Sequence, residues 1–108
     1  MGQPVVHFEI GCKDKEATSA FYTKAFGWEI DAGPMGMIQT GSTEGIQGHI
    51  AALGHEPHQF THFYVQVDDV AQALKDLEAL GGKTVVPPVP IPSGTFAWFS
   101  DPEGNIVG

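Results

Sequence analysis

Hydrophobic positions along the chain follow strand spacing and then helical spacing, and this order occurs twice. Pro4–Ile10 and Phe60–Val67 are rich in β-branched and aromatic residues, which predicts two strands. Each strand runs into an aspartate, Asp14 or Asp69, whose side chain is suited to accept hydrogen bonds at a helix N-terminus. The chain therefore predicts two copies of one module, each of which begins with a strand and a helix.

Apolar residues recur at steps of three and four after each aspartate, which predicts one apolar stripe on each helix. The stripe of the second helix consists of Val70, Ala73, Leu74, Leu77 and Leu80. The stripe of the first helix consists of Ala17, Phe21 and Ala25, with Tyr22 as a further candidate. Asp69 and Gln72 have the spacing of a capping box, and Gly81 supplies a left-handed stop.

Short strands follow each helix, with turns rich in glycine and small polar residues between them. The predicted strands are 28–30, 35–40 and 46–53 in the first half, and 83–86, 95–100 and 105 onward in the second. The proline-rich segment 87–92 is expected to be a stiff loop or an edge, because proline lacks a ladder donor. The fold prediction is a single α+β domain of two βαβββ modules, about 4–53 and about 60–108.

The charge balance narrows the range of partners. The 108 residues carry a net charge of -8, which disfavours nucleic acid and anionic lipid headgroups as partners. No apolar run approaches the roughly 20 residues of a membrane span. Cys12 is the only cysteine and is interpreted as a small buried hydrophobe. With no signal-peptide pattern at the N-terminus, the expected location is cytoplasmic.

Strand alternation sorts the polar residues onto one face of each predicted strand. His7 and Glu9 share a face in the first strand, opposite Phe8 and Ile10. In the second module, a shared face carries His62, Tyr64 and Gln66, while Phe63, Val65 and Val67 are expected to pack on the helix. Polar groups from both modules are therefore expected on the inner face of the sheet.

Several local strings make the chain resemble the glyoxalase/bleomycin-resistance/dioxygenase superfamily, also called the vicinal oxygen chelate superfamily. The strings are His7–Ile10, Phe21–Tyr22, Phe26–Trp28, Val65–Val70, Leu80–Lys83 and Phe99–Asn105. The resemblance covers essentially the whole chain. It implies that the two modules form a curled mixed sheet around one cleft, and that two chains pair as a homodimer.

The same resemblance implies a metal site formed by the first and last strand of each module. Carried over by position, the four corners are His7, His49, His62 and Gly108. Three imidazoles suit one divalent transition metal, such as Zn, Ni, Fe or Mn, and otherwise no cofactor is implied. Gly108 has no side chain, so it cannot supply the carboxylate that many members have at that corner.

Other residues are candidates for the reaction or the pocket. Glu9 is the acid expected inside the cleft, where it is either a general base or a strand-end acid paired with Lys13 or solvent. Tyr64 is a second catalytic candidate. The substrate-pocket candidates are Gln66, Trp28, Met35, Met37, Trp98 and Gly108. The tryptophans and methionines are interpreted mainly as core residues, with one or two lining an apolar pocket.

Three functions stay open on the sequence. The first is a glyoxalase-related, metal-dependent lyase, isomerase or transferase acting on a small molecule. The second is a metal-free protein that binds a small molecule, as bleomycin-resistance-like proteins do. The third is a module without chemistry that acts through dimerisation. For the histidines, the alternative to metal binding is that each lines a wet groove on its own.

Overall fold

The computed structural model describes residues 2–108 and contains the order strand, helix and three strands twice. The predicted α+β class and the repeated βαβββ order are confirmed. Contacts divide the chain into two compact units. The first is residues 6–63, and the second is residues 64–108 with the N-terminal segment through Val5. The module limits, about 4–53 and 60–108, stay a prediction.

The first unit is built on a five-stranded mixed sheet in the order β2-β3-β4-β1-β5. Its elements are β1 (Val5–Gly11), α1 (Lys15–Phe26), β2 (Glu29–Ile30), β3 (Met37–Gln39), β4 (Gln47–Ala51) and β5 (Phe60–Val65). β1 and β4 are parallel, whereas β3 is antiparallel to both β2 and β4. β1 lies between β4 and the edge strand β5, so its residues have a neighbouring strand on each side.

One face of this sheet carries the core of the unit. Its buried cluster is Ile10, Cys12, Ile38 and Ile50, with Phe8, Tyr22, Trp28 and Ile30 packed against it. The interpretation of Cys12 as a buried hydrophobe is confirmed, because it is 5% exposed. Ile38 and Ile50 are essentially inaccessible to solvent, and burial of such a side chain contributes about 1.5–3 kcal/mol. Phe8 and Ile10 anchor β1 to this core, so His7 and Glu9 face the other way.

Helix α1 begins and ends as predicted but presents a different residue to the sheet. Asp14 accepts a hydrogen bond from the backbone N–H of Ala17, and Gly27 ends the helix with a φ of 74°. The expected position of Phe21 in the core is wrong, since 63% of this residue is exposed. Tyr22 packs on the core instead, where it stacks on Trp28 with ring centroids 5.4 Å apart.

The second unit has one helix and a three-stranded antiparallel sheet in the order β6-β7-β8. Its elements are α2 (Val70–Ala79), β6 (Lys83–Ile91), β7 (Gly94–Ser100) and β8 (Ile106–Val107). The proline-rich segment forms part of β6, an edge strand with register shifts, so the edge alternative is confirmed. Proline is tolerated there because an edge strand has positions that need no N–H donor.

The ends of α2 match the sequence in part. Asp69 accepts from the backbone N–H of Gln72, as predicted, but the Gln72 side chain donates to Asp76 at 3.0 Å. Leu80 is 81% exposed, so its predicted place in the apolar stripe is wrong. It lies at the C-cap, past the last turn, whereas Leu74 is buried. Among residues 2–108, neither helix has the length and hydropathy needed to cross a membrane.

Candidate functional site

Four ionisable side chains of the first unit form a chain of contacts on the face of the sheet opposite the core. The Nε2 atom of His7 lies 2.7 Å from Nδ1 of His49, and Nε2 of His49 lies 3.3 Å from Oε2 of Glu9. The second oxygen of Glu9, Oε1, lies 2.7 Å from Nε2 of His62. The structure therefore brings together all three predicted histidines and the predicted acid.

Strand register explains why these side chains meet. Glu9 on β1 is paired with His49 on β4, and His49 is paired with Met37 on β3. β5, which carries His62, is hydrogen-bonded to the other side of β1. Residues paired across neighbouring strands point to the same face and lie about 5 Å apart. Glu9 consequently has one histidine on each side.

Burial makes Glu9 an unusual acid. It is 2% exposed, and the side chain of His62 is 3% exposed. A buried carboxylate is costly unless charge-assisted hydrogen bonds compensate its lost hydration. His62 supplies such a bond when its Nε2 atom is protonated, and His49 adds an ion-pair contact at 3.3 Å. The alternative that Glu9 pairs with Lys13 or with solvent is wrong.

His7 lies at the outer end of this chain of contacts and is half-buried. Burial is the main cause that lowers the pKa of His7 below its usual 6.5, and the neighbouring His49 lowers it further. The negative charge of Glu9 acts in the opposite direction and raises the pKa of His7. The His7 ring also stacks on His49, with centroids 5.0 Å apart and planes inclined by 27°. His7 is therefore held as a neutral imidazole at neutral pH.

The four groups have the chemistry of metal ligands but are not arranged around a common ion. His7 faces Nδ1 of His49, whereas Glu9 faces Nε2 on the other side of the same ring. The nitrogen and oxygen atoms that would bind a metal contact one another instead. Within residues 2–108, no group of three or more His, Cys, Asp or Glu side chains is placed to hold a metal ion. In this arrangement, the three imidazoles do not fit one ion, and the three-histidine ligand set stays a prediction.

The remaining candidates in the first unit surround this cluster unevenly. Met37 is paired with His49 and is 38% exposed. Met35 lies in the turn before β3, so its predicted place in a strand is wrong. Gly36 has a φ of 59°, and a Cβ atom there would lie 2.3 Å from the carbonyl oxygen of Ile50. The glycine thus lets this turn approach β4 closely.

An open groove in the same unit adds residues that sequence reasoning missed. Its lining consists of Phe8, Glu9, Ile10, Trp28, Thr61, His62 and Phe63. Phe63 had been expected to pack on a helix, yet it is 42% exposed and lines the groove. Trp28 packs on the core and also borders the groove. By strand alternation, the aromatic side chains of the groove lie on the core face of the sheet, opposite the side chains of Glu9 and His62.

Four candidates belong to the second unit. The indole Nε1–H of Trp98 donates to the Tyr64 hydroxyl at 3.0 Å, and Trp98 is buried. The carbonyl of Gly108 accepts from the backbone N–H of Val65. A Cβ atom on Gly108 would lie 2.3 Å from the Tyr64 ring, which occupies the space of a side chain at position 108. Gln66 is exposed, and its backbone N–H donates to the carbonyl of Pro4.

Comparisons with known proteins establish the family. A sequence model of the Glyoxalase/Bleomycin resistance protein/Dioxygenase superfamily matches residues 5–108. A glyoxylase-like domain-containing protein from Didymella fabae is 30% identical over 112 residues, which are 90% of this chain and 84% of the relative. The chain belongs to the glyoxalase/bleomycin-resistance/dioxygenase superfamily, and the predicted resemblance is confirmed.

Solved structures show the same fold at low identity. A superfamily member from Vibrio splendidus matches with a TM-score of 0.61 and 16% identity, covering 98% of this chain and 95% of that one. A variant of Streptomyces coelicolor methylmalonyl-CoA epimerase, in complex with 2-nitronate-propionyl-CoA, matches with a TM-score of 0.65 and 17% identity. That match covers 97% of this chain and 94% of the epimerase. At such identity the likeness concerns the fold alone.

Proposed function

We propose that this protein is a small-molecule enzyme of the lyase or isomerase class in which Glu9 is the general base. The observation that carries the proposal is the buried Glu9 carboxylate, held between His49 and His62 on the face of the sheet opposite the core. A carboxylate oxygen that accepts one hydrogen bond keeps a second lone pair. Glu9 can thus accept a proton while both imidazoles fix its position.

The reaction that suits such a base is proton transfer at a carbon next to a carbonyl group. Glu9 removes the proton, the C–H electron pair forms the C=C bond of an enolate while the π pair of the carbonyl moves onto its oxygen, and Glu9 returns the proton to the carbon as the carbonyl re-forms. Fixed hydrogen bonds keep the carboxylate oriented throughout. An epimerase with the same fold supports this reaction class.

Deuterium exchange tests the proposal without knowledge of the product. Small carbonyl compounds bearing an α-hydrogen are incubated with the protein in D₂O, and NMR measures the incorporation of deuterium. We expect exchange with the wild-type protein and a loss of at least about 100-fold in Glu9→Gln, the usual scale for a general base. Glu29→Gln is the matched control, because Glu29 is an exposed acid of the same sheet. Equal exchange by Glu9→Gln and the wild type would refute the role of Glu9.

Metal dependence is a separate proposal that rests on the chemistry of the imidazole and carboxylate groups. The ligand set that the family resemblance implies is His7, His49 and His62, whose rings have to leave their present contacts to meet at one ion. Elemental analysis of protein purified without a histidine tag tests it, with His62→Ala as the control. Zn, Ni, Fe or Mn near one equivalent, lost in the variant, would support a metal site. Metal-free protein that still exchanges deuterium would contradict metal dependence.

A metal-free binding protein is the second candidate function, and the aromatic wall of the groove favours it. Phe8, Trp28 and Phe63 provide the apolar surface, and the net charge of -8 favours a cationic ligand. Tryptophan fluorescence during titration with cationic aromatic compounds measures the binding. Binding that Glu9→Gln leaves unchanged, without any deuterium exchange, would favour this function over the enzyme.

We also propose that the protein forms a homodimer, as the family resemblance implies. The apolar residues Phe21 and Phe26 on α1 are 63% and 64% exposed, and a second copy would remove them from water. Light scattering at tens of micromolar tests this proposal. If the wild type is a dimer and Phe21→Ser weakens it, helix α1 is part of the interface. A monomeric wild type would contradict the proposed dimer.

The proposal also includes the expected cytoplasmic location, which cell fractionation can test.

A further inference from the structure

Both ring nitrogens of His49 contact other members of the cluster. Nδ1 faces His7 at 2.7 Å, and Nε2 faces Glu9 at 3.3 Å. An ionised carboxylate only accepts hydrogen bonds, and a neutral imidazole carries one proton. A neutral His49 with its proton on Nε2 directs that proton toward Glu9 Oε2, 3.3 Å away, whereas a bare Nε2 would set its lone pair against the carboxylate. Its Nδ1 is then an acceptor, so the donor in the bond to His7 is His7 Nε2–H.

We propose that His7 is a positioning residue that holds His49 in the Nε2–H tautomer and aims that proton at Glu9. His7 acts through His49 and does not itself bind an ion or the substrate. The proposal deepens the site described above, and its consequence for turnover rests on the proposed role of Glu9. The hydrogen-bonding argument for the tautomer itself does not depend on any reaction.

His49 needs such a partner more than His62 does. The His62 side chain is 3% exposed and its bond to Glu9 measures 2.7 Å, so packing already fixes this ring. The His49 side chain is 23% exposed and its distance to Glu9 is 3.3 Å, which leaves the ring less constrained. The hydrogen bond to His7, together with ring stacking, fixes the orientation of His49.

The sheet gives His7 a rigid base from which to act. His7 on β1 is paired with Gln47 on β4, two residues before His49, so its side chain reaches diagonally to the neighbouring strand. The Gln47 side chain instead contacts Thr40, on the other side of β4. Gln47 is therefore a matched control position, since it lies on the same strand as His49 but outside the cluster.

Long-range ¹H–¹⁵N correlation NMR reads the tautomer directly, because a bare ring nitrogen and a protonated one resonate far apart. The spectra are recorded on ligand-free protein at mildly alkaline pH. In the wild type, we expect His49 to have a protonated Nε2 and a bare Nδ1. In His7→Phe, these two resonances should move toward each other or exchange positions, while those of His62 stay in place. His7→Gln should restore the wild-type pattern, because its amide N–H can donate to Nδ1, and Gln47→Ala should retain it.

A protonated Nδ1 on His49 in the wild type would overturn the proposal, as would a His49 pattern in His7→Phe identical to the wild type. His7→Ala replaces His7→Phe if the latter does not fold, and the His62 resonances report folding near the site. In an active enzyme, His7→Phe should lower kcat more than it changes KM, with recovery in His7→Gln. If Glu9→Gln keeps full exchange activity while the tautomer shift occurs, the proposed reaction is refuted and the positioning role stands.

Discussion

Replacing Glu9 with glutamine should destabilise the fold, because the site depends on a carboxylate that is hydrogen-bonded to His62 and in ion-pair contact with His49. Glutamine has the same shape but only one acceptor oxygen, so the imidazole that faces its NH₂ group either meets it with an N–H or has to take up the other tautomer. One charge-assisted bond is lost, at about 1.5–3 kcal/mol, and the other becomes a weaker neutral bond. The expected total is about 2–4 kcal/mol in the free energy of unfolding. For a domain of this size, that is a fall in Tm of roughly 8–16 °C.

Chemical and thermal unfolding, followed by circular dichroism, measure this cost. Glu29→Gln makes the same change at an exposed position and should stay within about 0.5 kcal/mol of the wild type. A second variant, His62→Gln, should couple with Glu9→Gln in a double-mutant cycle because the two residues are in contact. A Glu9→Gln protein as stable as the wild type, or more stable, would refute the reasoning. It would show that the imidazoles do not compensate for the burial of the carboxylate.

Three other predictions concern separate parts of the chain. Gly108→Ala should lower the free energy of unfolding, measured in urea, by about 1–3 kcal/mol, because the new methyl group overlaps the Tyr64 ring. A smaller residue at position 64 should relieve this loss. An equal loss with and without the Tyr64 substitution would contradict the prediction. Ile38→Ala should cost about 2–5 kcal/mol, since Ile38 is fully buried, and a cost under 1 kcal/mol would contradict the described core. The pKa of His7, measured by NMR titration, should lie below 6.5. Glu9→Gln should lower this pKa further, because the negative charge of Glu9 favours protonation of His7. A higher pKa of His7 in the variant would contradict the predicted direction.

The face on which each site residue lies could be predicted from the sequence because strand periodicity is exact over short distances. Phe8 and Ile10 are apolar, so His7 and Glu9 had to occupy the opposite face, and the same reasoning applies to His49 beside Ile50. The helix stripes were less informative. Phe21 and Leu80 have suitable spacing but are exposed, because spacing shows which residues share a face and not whether a neighbour covers it.

The bonds within the site could not be predicted, because they depend on pairings between residues far apart in sequence. The contact of His7 with His49 spans 42 positions, and that of Glu9 with His62 spans 53. Register between β1, β4 and β5 decides which side chains meet, and local patterns do not encode it. Glu9 could thus be recognised as an inner-face acid, while its position between two imidazoles required the structure.

That position of Glu9 changes what three histidines on one face imply. Imidazoles that converge without an acceptor are left with costly unpaired nitrogen atoms, which an ion can satisfy. Here Glu9 offers an acceptor to His49 and His62, and His7 pairs with the remaining nitrogen of His49. An ion entering this cluster has to displace the hydrogen bonds among these side chains and compete with protons for the imidazole nitrogens, which lowers its net affinity and makes it dependent on pH. Histidines at inherited ligand positions are therefore equally consistent with a cluster that orients a buried base, and the neighbouring acid is the residue that separates the two cases.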